Sequence, residues 1–469
     1  MSDFYENEEF RNSISTVNKE GKRVWVYPKK PSGRFYNART IVSVILLIIL
    51  FATPFIKLNG HPFMLFNIFE RNFIFFGIAF GPYDFHIMVL VMIAFIVFIF
   101  LFTAIFGRVF CGWVCPQTIF MEMVFRKIEY WIDGDFRQQK ALKDSPWNGQ
   151  KIFKRSLKFG IFLVISYLIS HTFMAYLIGV DEVLNVVKAG PAEHPGGFIA
   201  INVFTGLFFF VFWWFREQAC IIVCPYGRLQ GVLLDKNSIA VAYDFIRGEP
   251  REKIKKGAER TAGDCIDCKI CVDVCPTGID IRNGTQLECV NCTACIDACD
   301  NVMEKIGKPR GLIRYDSLSG IEEKKKLRFT ARMGVYTAVL TLLIALITVL
   351  MLNRKDVEVN ILRTPGMLYQ EQPGNQISNI YNFHVINKTF DKIGINMKVK
   401  NMDARIVLLG SKPEAGPQQV MEGKFMIIID KSKIEKLNTK LEIGVYQNNQ
   451  EIDVIKTSFL GKRETNEKN

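Results

Sequence analysis

CIDCKICVDVCP (265–276) and, after a short spacer, CVNCTACIDACD (289–300) each spell C-x2-C-x2-C-x3-C. Three cysteines at this spacing wrap one face of a cubic iron–sulfur cluster, and the fourth lies far enough along the chain to cap a partner cube. Cys265, Cys268, Cys271 and Cys299 are therefore expected to hold one [4Fe-4S] cluster, and Cys289, Cys292, Cys295 and Cys275 the other. Structural zinc pairs two short Cys hairpins into one tetrahedron, and a doubled triplet-plus-one fits that poorly. Turn formers Pro276, Thr277, Gly278 and Gly284 suit tight wrapping. The second run ends Cys299-Asp300 where the first has Cys275-Pro276, a departure that removes no ligand.

At 469 residues the chain can hold two or three domains, and its apolar residues come in blocks. Residues 40–56, 87–106, 159–178, 198–215 and 334–352 are each about long enough to cross a bilayer core. An odd number of crossings leaves the two ends on opposite sides. Lys and Arg crowd residues 1–39 and 108–158, whereas the loop after the first span has only Lys57 and Arg71, and that after the third only Lys188. Positive-inside bias then puts the N-terminus, the 108–158 loop and the ferredoxin segment in the cytoplasm, with the tail beyond Leu352 outside. In residues 59–85, Glu70 and Arg71 argue against a further crossing, so an outer-surface or re-entrant segment is expected. No signal peptide is expected, since no small-residue cleavage site follows the first apolar block. The net charge of +13 reads as juxtamembrane charge, and no nucleic-acid partner is expected.

The second span runs into GRVFCGWVCPQT (107–118) and the fourth into FREQACIIVCPYGR (215–228). Each has a phenylalanine-rich helix, an Arg, then Cys-x3-Cys-Pro, as if a two-span hairpin had been used twice. Cys111 and Cys115 then match Cys220 and Cys224. Residues four apart share a helix face. Pro116 and Pro225 place Cys115 and Cys224 near helix N-termini, where amide dipoles favour the thiolate. Two such pairs can converge on one four-cysteine site, catalytic and metal-binding, whose soft donors suit Cu(I), zinc or iron–sulfur. A lone pair would read as inert packing cysteines, and the duplication weighs against that. These pairs and the ferredoxin runs account for all 12 cysteines, so none is left in the tail for a disulfide.

His171, mid-span, is a site candidate or a neutral imidazole bonded to a neighbouring helix. Met121 and Met123 offer thioethers to Cu(I) or simple packing, and Glu122, Arg216 and Glu217 read as interfacial ion partners. The first 39 residues read as a loosely ordered basic arm. Basic stretches around Arg251 to Lys256 and Arg260 follow the membrane part, and Lys324, Lys325 and Lys326 hold the cytoplasmic end of the fifth span. Beyond Leu352, strands are expected over 381–387, 393–399, 424–429, 441–447 and 451–459, with a hairpin turn at Asn448 and Asn449, making a small all-β sandwich in which His384 is structural.

The expected architecture is a multi-domain membrane protein: a basic arm (1–39), a four-span part (40–225), a linker with a two-cluster ferredoxin-like α+β domain (226–333), a fifth span (334–352) and a β domain (353–469). With its twin C-x3-C-P motifs, its cluster runs and the segments ACDNVMEK (298–305) and GLIRY (311–315), it resembles the cytochrome c oxidase accessory protein family, a polyferredoxin-type membrane family called CcoG, FixG or RdxA. NapH-type quinol-oxidising subunits share the twin motifs but lack the fifth span and β domain. The resemblance implies an immunoglobulin-like tail and a multi-pass protein of the bacterial inner membrane, its tail periplasmic. It also implies copper beside two [4Fe-4S] clusters, and reduction of Cu(II) to Cu(I) during assembly of the cbb-type oxidase. Electrons from a cytoplasmic donor would reach copper at Cys111, Cys115, Cys220 and Cys224. Oxidase assembly factors or copper chaperones are the implied partners, and a homodimer is left open. The competing readings are a NapH-like quinol dehydrogenase relay and a non-enzymatic scaffold for oxidase assembly.

Overall fold

Five helices of the computed structural model are long and apolar enough to cross a membrane: Arg34–Phe55, Pro82–Phe106, Gly149–Ile178, Pro195–Phe215 and Ala331–Leu352. The structure describes residues 15–18, 20–254, 262–324, 330–410, 412–434 and 436–461; of the basic residues singled out above, Lys256, Arg260, Lys325 and Lys326 lie outside these. All five helices begin earlier than their apolar blocks, because polar residues extend a helix beyond its apolar run. In the third span, the Asn148 side chain accepts the Lys151 amide and starts a 30-residue helix over the polar turns GQKIFKRSLK. The chain forms two compact units, residues 1–65 with 90–345 and residues 66–89 with 346–469.

In the first unit, helix Arg34–Ala52 has no cap of its own and takes one from the ferredoxin segment. Asp297 accepts the amides of Phe35 at 3.1 Å and Tyr36 at 2.8 Å. Gly33 admits this carboxylate, since a Cβ there would run into Asp297. Replacing Asp297 by Ala is expected to cost about 1 kcal/mol of local stability. Hydrogen exchange at Phe35 and Tyr36 should then speed up about fivefold, and Asp297→Asn should lose less.

The preceding arm is not loose where it is described. Ser15 Oγ donates to Thr277 O at 2.7 Å, the Lys29 amide donates to Asp273 O at 2.7 Å, and Arg23 pairs with Glu217 at 3.1 Å while stacking on Trp25. The polar composition that suggested disorder instead supplies partners to groups distant in sequence.

The ferredoxin segment pairs strand Ala240–Tyr243 antiparallel to Ile313–Asp316 over a core that includes Ile296, Met303, Leu312 and Ile313. Its two Cys runs share a backbone pattern. Asp267 and Lys269 have positive φ in the first, and Asn291 and Thr293 do so at the same offsets in the second. Each pattern leads into a helix, Ile270–Asp273 carrying Cys271 and Ala294–Lys305 carrying Cys295 and Cys299. Asp300 now has a physical account: proline would break this second helix, whereas Asp300 lets it run on and accepts the Gly311 amide at 2.9 Å.

The second unit is a two-sheet sandwich. One sheet orders Arg405–Leu409, Val420–Asp430, Gln376–Asn387 and Val357–Arg363; the other orders Asn396–Val399, Asn438–Gln447 and Gln450–Leu460. Tyr381, Phe383, Phe425, Leu441, Ile443 and Phe459 fill the space between them, and Tyr381 Oη donates to Ser458 O at 2.8 Å across it. Asn448 and Asn449 both take positive φ at the last hairpin, as a two-residue type I′ turn needs. His384 lies 3.1 Å from Glu422 on a strand surface. Strands Asn72–Phe75 and Ile78–Phe80 belong to this unit, where Asp84 accepts from Arg354 at 2.9 Å and Lys388 at 2.8 Å.

Candidate metal centres and a buried ion network

The fold sorts the eight ferredoxin cysteines into two groups. Cys265, Cys268, Cys271 and Cys299 line one cavity. Cys275, Cys289, Cys292 and Cys295 line another, with Cys271 on its wall. The fourth cysteine of each run thus sits with the other run's triplet. Burial pushes Cys271 and Cys289 up to about 12, so a cationic centre must displace their protons. Four sulfur donors around each cavity fit a cubic iron–sulfur cluster, which would supply one-electron redox chemistry there. Among the described residues, no three His, Cys, Asp or Glu side chains, those of the twin motifs included, are close enough to grip a single ion.

The twin hairpins repeat each other residue by residue. Gly107 and Arg216, each four before its first Cys, both take φ 54° and end their spans. The Cys115 amide donates to Phe110 O and the Cys224 amide to Ala219 O, both at 2.9 Å. Cys115 and Cys224 are extended N-caps ahead of Pro116 and Pro225, with ψ 123° and 109°. The paired thiols therefore do not share a helix face. Proline forces the second Cys out of helical geometry, and in the second copy the first Cys lies in a wide π-type turn, Ala219–Val223.

The two hairpins nevertheless pack together. Burial pushes Cys111 up to about 12, Arg108 opposes, and the thiols of Cys115 and Cys224 add to the rise. Burial likewise pushes Cys220 up to about 12, with Cys115, Cys111 and Cys224 all contributing. Cys111 Sγ donates to Gln230 Oε1 at 3.0 Å, and the Phe110 and Tyr226 rings stack edge to face at 5.8 Å between the motifs. The two hairpins thus pack on each other and bring their Cys pairs into one neighbourhood.

This neighbourhood abuts the Cys289–Cys292 loop. A Cβ on Gly112 would stand 2.6 Å from the carbonyl oxygens of Val290 and Asn291. Arg39 Nε donates to Gly112 O at 2.6 Å while its Nη1 donates to Cys292 O at 3.4 Å. Arg108 donates to the carbonyls of Leu287, Cys289 and Gly227. Trp113 Nε1 donates to Tyr315 Oη at 2.9 Å, which donates to Asn291 O at 3.1 Å.

Glu122, Arg216 and Glu217 belong to a larger buried network. Arg216 grips Glu129 through both nitrogens, Nη1–Oε1 at 3.0 Å and Nη2–Oε2 at 2.5 Å. Lys158 reaches Asp133 at 2.6 Å and Glu129 at 3.5 Å. Arg126 pairs with Glu122 at 3.0 Å and lies 3.8 Å from Glu217, which also takes Arg23. Burial alone would raise the Glu129 carboxyl, but Arg216, Lys158 and Arg126 outweigh it and hold it down to about 2.

A family profile described as a 4Fe-4S dicluster domain matches residues 215–318, and one described as a 4Fe-4S binding domain matches residues 88–137. A third, the IG-like fold at the C-terminus of FixG, matches residues 347–462. Protein RdxB of Cereibacter sphaeroides is 36% identical over 78% of this chain and 80% of its own. The chain belongs to the FixG/RdxA family. RdxA of the same organism is 37% identical over 63% of each chain, and nitrogen fixation protein FixG of Rhizobium meliloti is 35% identical over 64% of this chain and 58% of its own. This family's iron–sulfur electron-transfer character, its spans and its immunoglobulin-like tail are all present here.

Several single-residue candidates have other duties. His171 Nδ1 bonds Tyr167 O at 2.8 Å within its own helix. Met121 packs among Phe120, Phe125, Phe162 and Phe212, and Met123 Sδ lies 4.0 Å from Thr40 Oγ1. Glu129, Asp133, Lys158, Arg39 and Gly112 escaped sequence reasoning. For the four charged residues, a charge inside or beside an apolar block was the one available signal, and Gly112 carried none.

Proposed function

We propose that this FixG/RdxA-family protein is a bacterial inner-membrane cupric reductase that helps assemble the cbb-type cytochrome c oxidase. The observation that carries this reading is the packing of the two Cys-x3-Cys-Pro hairpins on each other, through Cys111 with Gln230 and Phe110 with Tyr226, with Gly112 set against the Cys289–Cys292 loop. Two [4Fe-4S] clusters, one held by Cys265, Cys268, Cys271 and Cys299 and the other by Cys275, Cys289, Cys292 and Cys295, would store electrons one at a time. The four twin-motif thiols bind copper as substrate. Their soft sulfurs favour Cu(I) over Cu(II), which pulls the reduction forward. Each Cu(II) takes one electron, and each reduced cluster loses one. The Lys and Arg distribution puts the N-terminus, clusters and twin thiols on the cytoplasmic side, with the tail periplasmic. A cytoplasmic donor supplies electrons, and oxidase assembly factors or copper chaperones receive Cu(I). The match of residues 347–462 to the FixG tail favours this over a NapH-like quinol relay.

The test is anaerobic mixing of dithionite-reduced, desalted protein with Cu(II) and a Cu(I)-specific chromophore. Recovery of the iron–sulfur absorbance together with one Cu(I) per electron released is expected. Reduced clusters that stay reduced with Cu(II) present, in a protein whose oxidised clusters are filled by added quinol, would favour the relay instead.

A further inference from the structure

Two cluster sets and two Cys hairpins leave open which set faces the thiols. The geometry answers it. The first set includes Cys268, the one exposed cysteine of the 12, and Tyr243 and Arg282 line its cavity with it. The second set is the one whose loop meets the hairpin. Cys111 is bonded to Gly112, Gly112 presses against the carbonyls of Val290 and Asn291, and these residues lie between Cys289 and Cys292. One non-bonded backbone contact therefore separates a twin-motif cysteine from two cysteines of the second set.

We propose that this junction is the electron exit from the ferredoxin segment: Gly112 sets its distance, Arg39 bridges it, and the Cys268 edge is the entry for the donor. The proposal rests on the function given above and adds an order, donor to first set to second set to twin thiols. Electron transfer weakens steeply with separation and passes better through bonds and tight contacts than across gaps, so a contact that only glycine permits has direct kinetic weight. Arg39 adds a second feature. It is 3% exposed, its Nε and Nη1 span the junction, and its Nη2 is buried with no hydrogen-bond partner among the described residues. A guanidinium placed there favours an added electron on the nearer set over the farther one. Gly112 and Arg39 are positioning residues, since neither offers a ligand atom.

The full-length protein in detergent tests this with two variants and three readouts. Gly112→Ala must push the Val290–Asn291 backbone away, while Arg39→Gln keeps a donor and removes the charge. In Gly112→Ala, iron content and both midpoint potentials should stay at wild-type values, and the limiting rate of cluster reoxidation by Cu(II) should fall about tenfold or more, the scale on which small misplacements act. Reoxidation by ferricyanide, which meets the exposed Cys268 edge, should be unchanged. Arg39→Gln should lower the potential of one cluster only, identified as the second by its persistence in Cys268→Ser. Hydrogen exchange over residues 289–293 should rise in Gly112→Ala whatever copper does. A wild type whose clusters ignore Cu(II) would sink the copper reading alone. Unchanged exchange in Gly112→Ala, an undiminished Cu(II) rate in that variant, or an Arg39→Gln shift in the first cluster or in neither, would overturn the junction.

Discussion

The double variant Cys111→Ala, Cys115→Ala is expected to retain the iron and absorbance of both clusters while losing Cu(I) affinity by more than the roughly 100-fold that outer-shell changes can reach. Retention is expected because the ferredoxin thiols line cavities of their own. Loss is expected because two of the four proposed sulfur ligands disappear. Cys220→Ala with Cys224→Ala should behave alike, since the second hairpin repeats the backbone of the first, φ 54° at Gly107 and Arg216 included. Gln230→Leu is a finer probe. Gln230 is fully buried and accepts from Cys111, so its loss should weaken copper without removing a ligand. Equilibrium competition with a Cu(I) chelator reads all three. Wild-type affinity in either double variant would refute the four-thiol site.

Glu129→Gln should be the most damaging single change outside the cysteines. The carboxylate takes both nitrogens of Arg216 and also neighbours Lys158, and the two cations are buried. Removing its charge leaves them undercompensated, a situation that costs about 3–5 kcal/mol in buried pairs. Arg216 is also held at φ 54°, uncommon for a residue with a side chain, and Glu129 is what anchors it. A lower unfolding temperature of the purified protein should therefore accompany looser geometry four residues before Cys220. The pH dependence has a definite sign. The Glu129 carboxyl drops from 4.5 to about 2, so its contribution is complete above pH 4.5 and fades as pH falls toward 2. Glu129→Gln should lose that part of the acid sensitivity, which thermal unfolding across this range would show.

Much of the fold could be read without coordinates because its signals are local. Hydropathy located the five spans, and alternation with an Asn-Asn turn located the strands of the sandwich. Helix starts were less accessible. Arg34 begins a helix because a carboxylate from Asp297 reaches it, and no neighbouring residue announces that. The twin pairs were visible as a repeat, but the assumption of a shared helix face failed. Proline's steric effect on the preceding residue outweighed the four-residue spacing.

The one-dimensional pattern alone therefore determined the ligand types, their spacing in the two Cys runs, the apolar spans and the duplication. These follow from how far a few covalently linked residues can reach and which way they point. Only the tertiary structure decided that the two Cys hairpins pack on each other, that Gly112 touches the Val290–Asn291 backbone, and that Glu129 serves Arg216 and Lys158. Such contacts join residues tens to hundreds of positions apart. They are selected by packing and charge compensation in three dimensions, and neither leaves a period in the chain.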